Sequence, residues 1–367
     1  FTLQMSRKKD LLLNNINMFY DSDFKEPINE EWFLQLDTSV SMHPQFVFNH
    51  FTKEKMILVQ NNNNKVFAIN SKGEELWNIQ LNSKILGDIS SIDFYQNNKY
   101  QYLFNTESKL YLIDRNGENV NEFPVNLSCN TSFGHSLFDY NNNRKYRILI
   151  VGEDNNIYNL NKKGEKIKGW KYEKNNNKIN KKIQYFKVGT KDYILAERNG
   201  SNTQLLAING SERVKFEKDI LFNGNTISID KEGTIYSITN EGKLWRGYLD
   251  GNSSQLTLSN LVNNSLFVVN ESAKEKQFIY TNNNRIFILN SNFETINSID
   301  LTNNITNLLT NNKDVIFTTK DELYLWNTDG FLEGFPIKSD GYFNIDDIDN
   351  NGKINLINTK NGFIYNY

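Results

Sequence analysis

The chain has 367 residues, with 41 Lys and Arg against 43 Asp and Glu and a formal net charge of −2. That balance gives no electrostatic basis for binding nucleic acid, which rests on clustered Lys and Arg. A single Cys, Cys129, excludes a disulfide framework or a Cys-built zinc site within the chain and reads as a small core hydrophobe. No apolar run approaches the ~18 residues that span a bilayer. The chain begins at Phe1, so it is expected to be a piece of a longer protein, with any membrane tether lying outside it.

The first elements are the least regular. RKKDLLLNNINMFY predicts a helical turn or two, and residues 1–29 otherwise read as a linker from a preceding domain. EEWFLQLD, Glu30 to Asp37, is a strand with no strands before it to pair with. QFVFNHF and KMILVQ follow, and then KVFAINSKGEELWNIQL, Lys65 to Leu81. In that stretch, two alternating apolar runs meet at a Gly corner, the mark of two strands joined by a tight turn.

This unit recurs along the chain. KLYLIDRNGENVNEFPVNL starts at Lys109, NIYNLNKKGEKIKGWKY at Asn156 and QLLAINGSERVKFEK at Gln204. TIYSITNEGKLWRGYL starts at Thr234, RIFILNSNFETINSIDL at Arg285 and ELYLWNTDGFLEGFPIK at Glu322. The spacing averages about 43 residues, the length of a propeller blade. Two further alternating runs precede most copies, so each unit reads as a four-stranded antiparallel blade. The chain ends in YFNIDDI, KINLINT and GFIYNY, three strands that lack a fourth. Glu30–Asp37 supplies it, closing the ring and removing its free sheet edges. The fold class is therefore all-β: an eight-bladed β-propeller over residues 30–367, closed by an N-terminal strand. The short fifth blade, near residues 219–250, leaves seven as the alternative count.

The pattern of strand, Asn or Asp, Gly corner and Glu-Leu-Trp resembles the PQQ-like (quinoprotein-like) propeller repeat. KVFAINSKGEELWNIQL carries it most clearly, and the blades lack the Gly-His and Trp-Asp signatures of WD40 repeats. In blade type the chain looks like the BamB-type propellers of outer-membrane assembly. QYLFNTESKLYLIDRNGENVNEFPVNL, FDYNNNRKYRILI and KDYILAERNG are similar to Bacteroidota (flavobacterial) envelope proteins with C-terminal propellers. The resemblance implies a bacterial cell-envelope setting, periplasmic or outer-membrane associated, and protein partners.

The superfamily includes quinone-cofactor dehydrogenases, which sandwich the cofactor against a Trp and commonly a vicinal disulfide. One Cys excludes that disulfide. Trp32, Trp77, Trp170, Trp245 and Trp326 mostly fall at outer-strand or corner positions, where they read as inter-blade packing. His43, His50 and His135 lie far apart, with no nucleophile elbow or metal pair beside them. No cofactor and no catalytic residue is expected.

One motif exceeds packing. In DIDNNGKIN, Asp347, Asp349 and Asn351 precede Gly352 with the spacing of calcium loops, and Asn355 stands where a further carboxylate is usual. A structural calcium is one reading. Capping of the turn by the Asp carboxylate is the favoured one. Asp93 to Gln101 and Asp139 to Arg147 repeat the interval from Asp347 to Asn355, which marks three homologous hairpins. Tyr95, Tyr140 and Phe331, beside turns, are candidate rim anchors for a partner.

The sequence thus predicts a non-catalytic protein-interaction scaffold of an envelope assembly, secretion or transport complex. A glycan-binding propeller is the alternative, and a degenerate quinoprotein-type enzyme the more distant one.

Overall fold

KMILVQ is apolar at almost every position, and both faces of that strand are buried. Met56 and Leu58 pack toward the next blade while Ile57 and Val59 pack toward the last one. Alternate side chains of a strand point to opposite faces, so a strand in the middle of a blade feeds two inter-blade cores at once. Eight such cores run around the ring, each shared by consecutive blades. Each buried Ile or Leu side chain contributes about 1.5–3 kcal/mol to this frame.

The computed structural model describes residues 2–8, 11–17, 28–174, 178–198, 201–216, 227–271, 275–311, 314–327 and 330–367. Blade 1 comprises Gln45–Phe48, Lys55–Gln60, Lys65–Ile69 and Glu75–Gln80, in order from the innermost strand. Blade 2 comprises Leu86–Ile92, Gln101–Asn105, Lys109–Ile113 and Val125–Asn126. Blade 3 has Ser136–Phe138, Arg147–Val151 and Ile157–Leu160, with a bridge from Leu160 to Lys166 in the outermost place. Blades 4 to 7 begin at Gln184–Val188, Ser228–Ile229, Phe267–Asn270 and Asn307–Asn311. All pairings are antiparallel, and within a blade nearly all join sequence neighbours, so the architecture is the predicted eight-bladed propeller.

Blade 8 joins the two ends of the chain. Phe343–Asp346, Asn355–Lys360 and Phe363–Asn366 come from the end, and Trp32–Gln35 pairs with Phe363–Asn366 as the outermost strand. The seam to blade 1 is also bonded. Asn344 Nδ2 donates to Pro44 O at 2.7 Å, and Lys55 N donates to Ile348 O at 2.8 Å.

Two expectations are corrected. Thr2–Lys8 and Leu11–Asn17 form an antiparallel two-stranded sheet of their own, in place of the expected helical turn. Leu3 and Met5 alternate with polar residues at the strand period. Asn14, Asn15 and Asn17 are poor helix formers because their side chains compete for the backbone.

The second correction moves the fifth repeat by one strand. Blade 5 is Ser228–Ile229, Ile235–Ile238, Leu244–Gly247 and Ser253–Leu256. The Gly242 corner therefore joins its second and third strands, and the outer corner is at Asp250-Gly251. Gly251 has φ +92°, and a Cβ there would lie 2.8 Å from Lys215 O of blade 4. The same approach to the preceding blade recurs at Gly73 and Gly117.

Candidate functional site

In an antiparallel meander, the hairpins from first to second strand and from third to fourth strand open on one face of the ring. The three homologous Asp hairpins are on that face. Asp93 accepts the amides of Asn97 and Asn98 at 2.9 and 2.8 Å. Asp139 accepts those of Asn143 and Arg144 at 3.0 and 2.7 Å, and Asp347 those of Asn351 and Gly352 at 3.1 and 2.9 Å. In each hairpin, the residues three and five past the Asp have positive φ: Gln96 and Asn98, Asn142 and Arg144, Asn350 and Gly352. The carboxylate offsets that backbone strain by capping the turn.

The remaining predicted cation ligands are also engaged. Asp349 Oδ1 accepts Asn351 N at 3.2 Å and its Oδ2 accepts Asn351 Nδ2 at 2.8 Å. Asn351 Oδ1 accepts Lys353 N at 2.7 Å. Asn355 Oδ1 accepts Ile348 N at 3.3 Å, the place taken in blade 2 by Gln101 Oε1 on Phe94 N at 2.9 Å. The structure thus brings Asp347, Asp349 and Asn351 together in one turn whose oxygens meet N–H donors.

The Trp residues serve the blade seams. Trp32 lies over Gly73 and donates Nε1–H to Ser71 O at 2.8 Å; Trp77 lies over Gly117 and donates to Arg115 O at 2.8 Å. A Cβ on either glycine would meet the indole at 2.6–2.8 Å, so the corner Gly is required for this docking. Trp170 packs against Gly210, and Trp245 and Trp326 are buried within inter-blade cores.

On the wall of the central channel, the innermost strands of blades 2, 3 and 4 line an open hollow of about 700 Å³. Its lining includes His135, which shares a hydrogen bond from Nε2 with Ser90 Oγ at 2.9 Å. Burial pushes the imidazole down to about 4, and its Nδ1 has no partner. An imidazole of that pKa is a weak base at neutral pH. The bond ties blade 2 to blade 3, and Ser136 Oγ extends the tie to blade 4 by donating to Ile183 O at 2.5 Å.

Three carboxylates converge at the hairpins of blades 5 and 6: Asp230, Glu232 and Glu271. Lys276 Nζ fills their centre, at 2.9, 2.7 and 3.7 Å respectively. Partial burial works against the ammonium, but its bonds to Glu232 and Asp230 hold its pKa above the ordinary value. Lys276, with Lys231 3.7 Å from Glu271, offsets part of the charge of the three carboxylates, of which Asp230 is buried and Glu232 exposed.

The hairpin of blade 1 differs. It carries Asn49 in place of the Asp and is shorter. Asn49 Oδ1 accepts only Phe51 N, at 3.0 Å, and Phe51 is 71% exposed. The Arg115 guanidinium, from the outer corner of blade 2, lies 4.7 Å from the Phe51 ring centroid. Tyr95 and Ile354, on the equivalent hairpins of blades 2 and 8, are 52% and 59% exposed. Of the predicted rim aromatics, Tyr95 and Phe331 are therefore exposed. Tyr140 is corrected: it packs beside Phe138 and Tyr185, with its hydroxyl buried. Phe51 was not singled out in the sequence, although it falls outside the Phe46–Phe48 alternation and beside a polar turn.

Comparison with known proteins gives the fold. No family model matches the chain, and no curated relative matches it. Among solved structures, BamB from Moraxella catarrhalis has a TM-score of 0.61 and 13% identity, covering 92% of this chain and 98% of its own. Sqt1 from Saccharomyces cerevisiae has a TM-score of 0.57 and 11% identity, covering 90% and 99%. BBS1N in complex with ARL6DN has a TM-score of 0.50 and 12% identity, covering 92% and 97%. At these identities the likeness shows the fold alone, a β-propeller.

Proposed function

We propose that this propeller is a non-catalytic platform for protein partners, acting within a bacterial cell-envelope complex for outer-membrane assembly, secretion or transport. The observation that carries the reading is the face of blades 8, 1 and 2, where Ile354, Phe51 and Tyr95 stand exposed on three consecutive hairpins of the ring. Large exposed aromatics on a rigid scaffold are the usual anchors of protein interfaces. One similar propeller was solved with a protein partner, ARL6DN, which supports the platform role by analogy of fold. The residues that resemble Bacteroidota envelope proteins and the likeness to BamB support the periplasmic or outer-membrane placement. No helix among the described residues is long and apolar enough to cross a membrane. The Asp347 hairpin is assigned to turn capping, with a structural calcium as the alternative occupant.

The test is affinity purification of the tagged full-length protein from native envelope fractions after mild cross-linking. Reproducible recovery of an envelope-complex subunit is the expected result. A preparation that yields no partner under those conditions contradicts the platform reading and directs attention to glycan arrays.

A further inference from the structure

We propose that the cleft between blades 1 and 2, lined by Arg115 and flanked by the Phe51 ring that Arg115 covers, docks an acidic segment of the protein partner that carries an aromatic or aliphatic anchor. The proposal rests on the platform reading and adds the place and the chemistry of the contact.

The cleft holds about 490 Å³, and its lining includes Leu76, Trp77, Lys72, Arg115, Glu54 and Glu74. Leu76 is 46% exposed and, with Phe51 at the edge, offers apolar surface for an anchor. The carboxylates near it keep their charge but are oriented by hydrogen bonds within the fold. Glu54 Oε2 accepts the Ser71 hydroxyl at 2.8 Å, and Glu74 Oε2 accepts Asn70 Nδ2 at 2.8 Å. Asp114 Oδ1 accepts the amides of Asn116 and Glu118 at 2.8 and 3.0 Å. Lys55 is taken by Asp346 of blade 8 at 2.5 Å.

The cations have no such partners. Lys53, Lys72, Lys99 and Arg115 form no ion pair with a described carboxylate. Lys53, Lys72 and Lys99 are exposed. The field of Arg115, Lys99 and Lys53 is felt at His50. Burial first, and then Arg115, Lys99 and Lys53, hold its pKa below the ordinary value against the opposing pull of Asp114. Arg115 is already ordered on the Phe51 ring, which leaves its planar fork pre-oriented for a carboxylate with little further loss of freedom. Basic groups flanking an aromatic anchor complement carboxylates flanking an apolar side chain, and such complementarity sets partner choice and encounter rate.

The test uses the purified full-length protein and short fluorescein-labelled peptides, read by anisotropy. One peptide has Asp and Glu around a Phe, one has Lys in place of the acids, one has Ser in place of the Phe, and a single-stranded oligonucleotide completes the set. The acidic Phe peptide is expected to bind, and to weaken as salt is raised. Phe51→Ala, and separately the double variant Lys53→Glu/Lys99→Glu, should each weaken it about tenfold or more. Equal binding of the basic peptide or the oligonucleotide overturns the proposal, as does wild-type affinity in both variants. Native purification separates the two readings. If the acidic peptide fails and the variants still recover the partner as well as the wild type does, this docking site is wrong and the platform reading stands. If neither peptide nor partner binds, both fall.

Discussion

The hairpins of blades 2, 3 and 8 and the hairpin of blade 1 occupy equivalent places on the ring and use their residues in opposite ways. In the first group an Asp caps the turn, positive-φ residues accommodate the bend, and Arg144 of blade 3 pairs with Asp93 of blade 2 at 2.6 Å. In blade 1 the cap is a neutral Asn, the ring of Phe51 stands in solvent, and the nearby cations are unpaired. The lesson is a division of labour between hairpins: in blades 2, 3 and 8 the carboxylates hold the turns, while beside the blade 1 hairpin an aromatic ring and the cations Lys53, Lys99 and Arg115 are left for contact.

That contrast can be broken or sharpened by substitution. The largest effect is expected for Asp93→Ala. The carboxylate is 1% exposed, and its loss leaves two amides without their acceptor and removes the ion pair to the solvent-accessible Arg144, at a cost of about 3 kcal/mol measured by urea denaturation. A change under about 0.5 kcal/mol would remove the capping account, since surface substitutions are of that size.

His135 gives the next effect. Its folded pKa of about 4 lies below the ordinary 6.5, so between those values the unfolded chain binds a proton that the folded chain does not. Stability should therefore be full above pH 6.5 and fall by roughly 2 kcal/mol or more as pH drops toward 4. In His135→Gln that part of the slope should vanish, and an unchanged slope would show that the tie between blades 2 and 3 is not the titrating element.

Asp347→Ala should cost about 1 kcal/mol, less than Asp93→Ala because Asp347 has only the amides to hold. Millimolar calcium should leave the wild-type melting temperature unchanged. A rise with calcium that Asp349→Asn abolishes would instead establish a bound cation, since a ligand selective for the folded state raises its stability. The smallest stability effect is expected for Phe51→Ala, within about 0.5 kcal/mol, by thermal melting. A larger loss would place Phe51 in the frame and end the comparison.

Much of the frame was legible in the sequence. Period-two alternation, the Gly corners and the orphan strand Glu30–Asp37 specify blades and ring closure, because each rule is local or demands a pairing partner. The fifth repeat slipped by one strand because both of its corners, at Gly242 and Gly251, carry a positive-φ Gly. Local turn chemistry cannot tell which corner meets the preceding blade. The shared interval from Asp93, Asp139 and Asp347 correctly marked homologous hairpins. What stayed hidden was exposure: Tyr140 and Phe51 both follow an alternating aromatic strand, and only the packing of neighbouring blades buries one and leaves the other out. The convergence of Asp230, Glu232 and Glu271 on Lys276 was hidden for the same reason.

The most direct measurement is site-resolved photo-cross-linking of the full-length protein in native envelope fractions. A photoreactive phenylalanine analogue replaces Phe51 in one sample and Ile296 in another. Ile296 is 53% exposed on the outermost strand of blade 6. A discrete cross-linked protein partner from position 51 and none from position 296 is the predicted result. Cross-links from position 296 alone, or from neither position, would contradict a partner-binding face at blades 1 and 2.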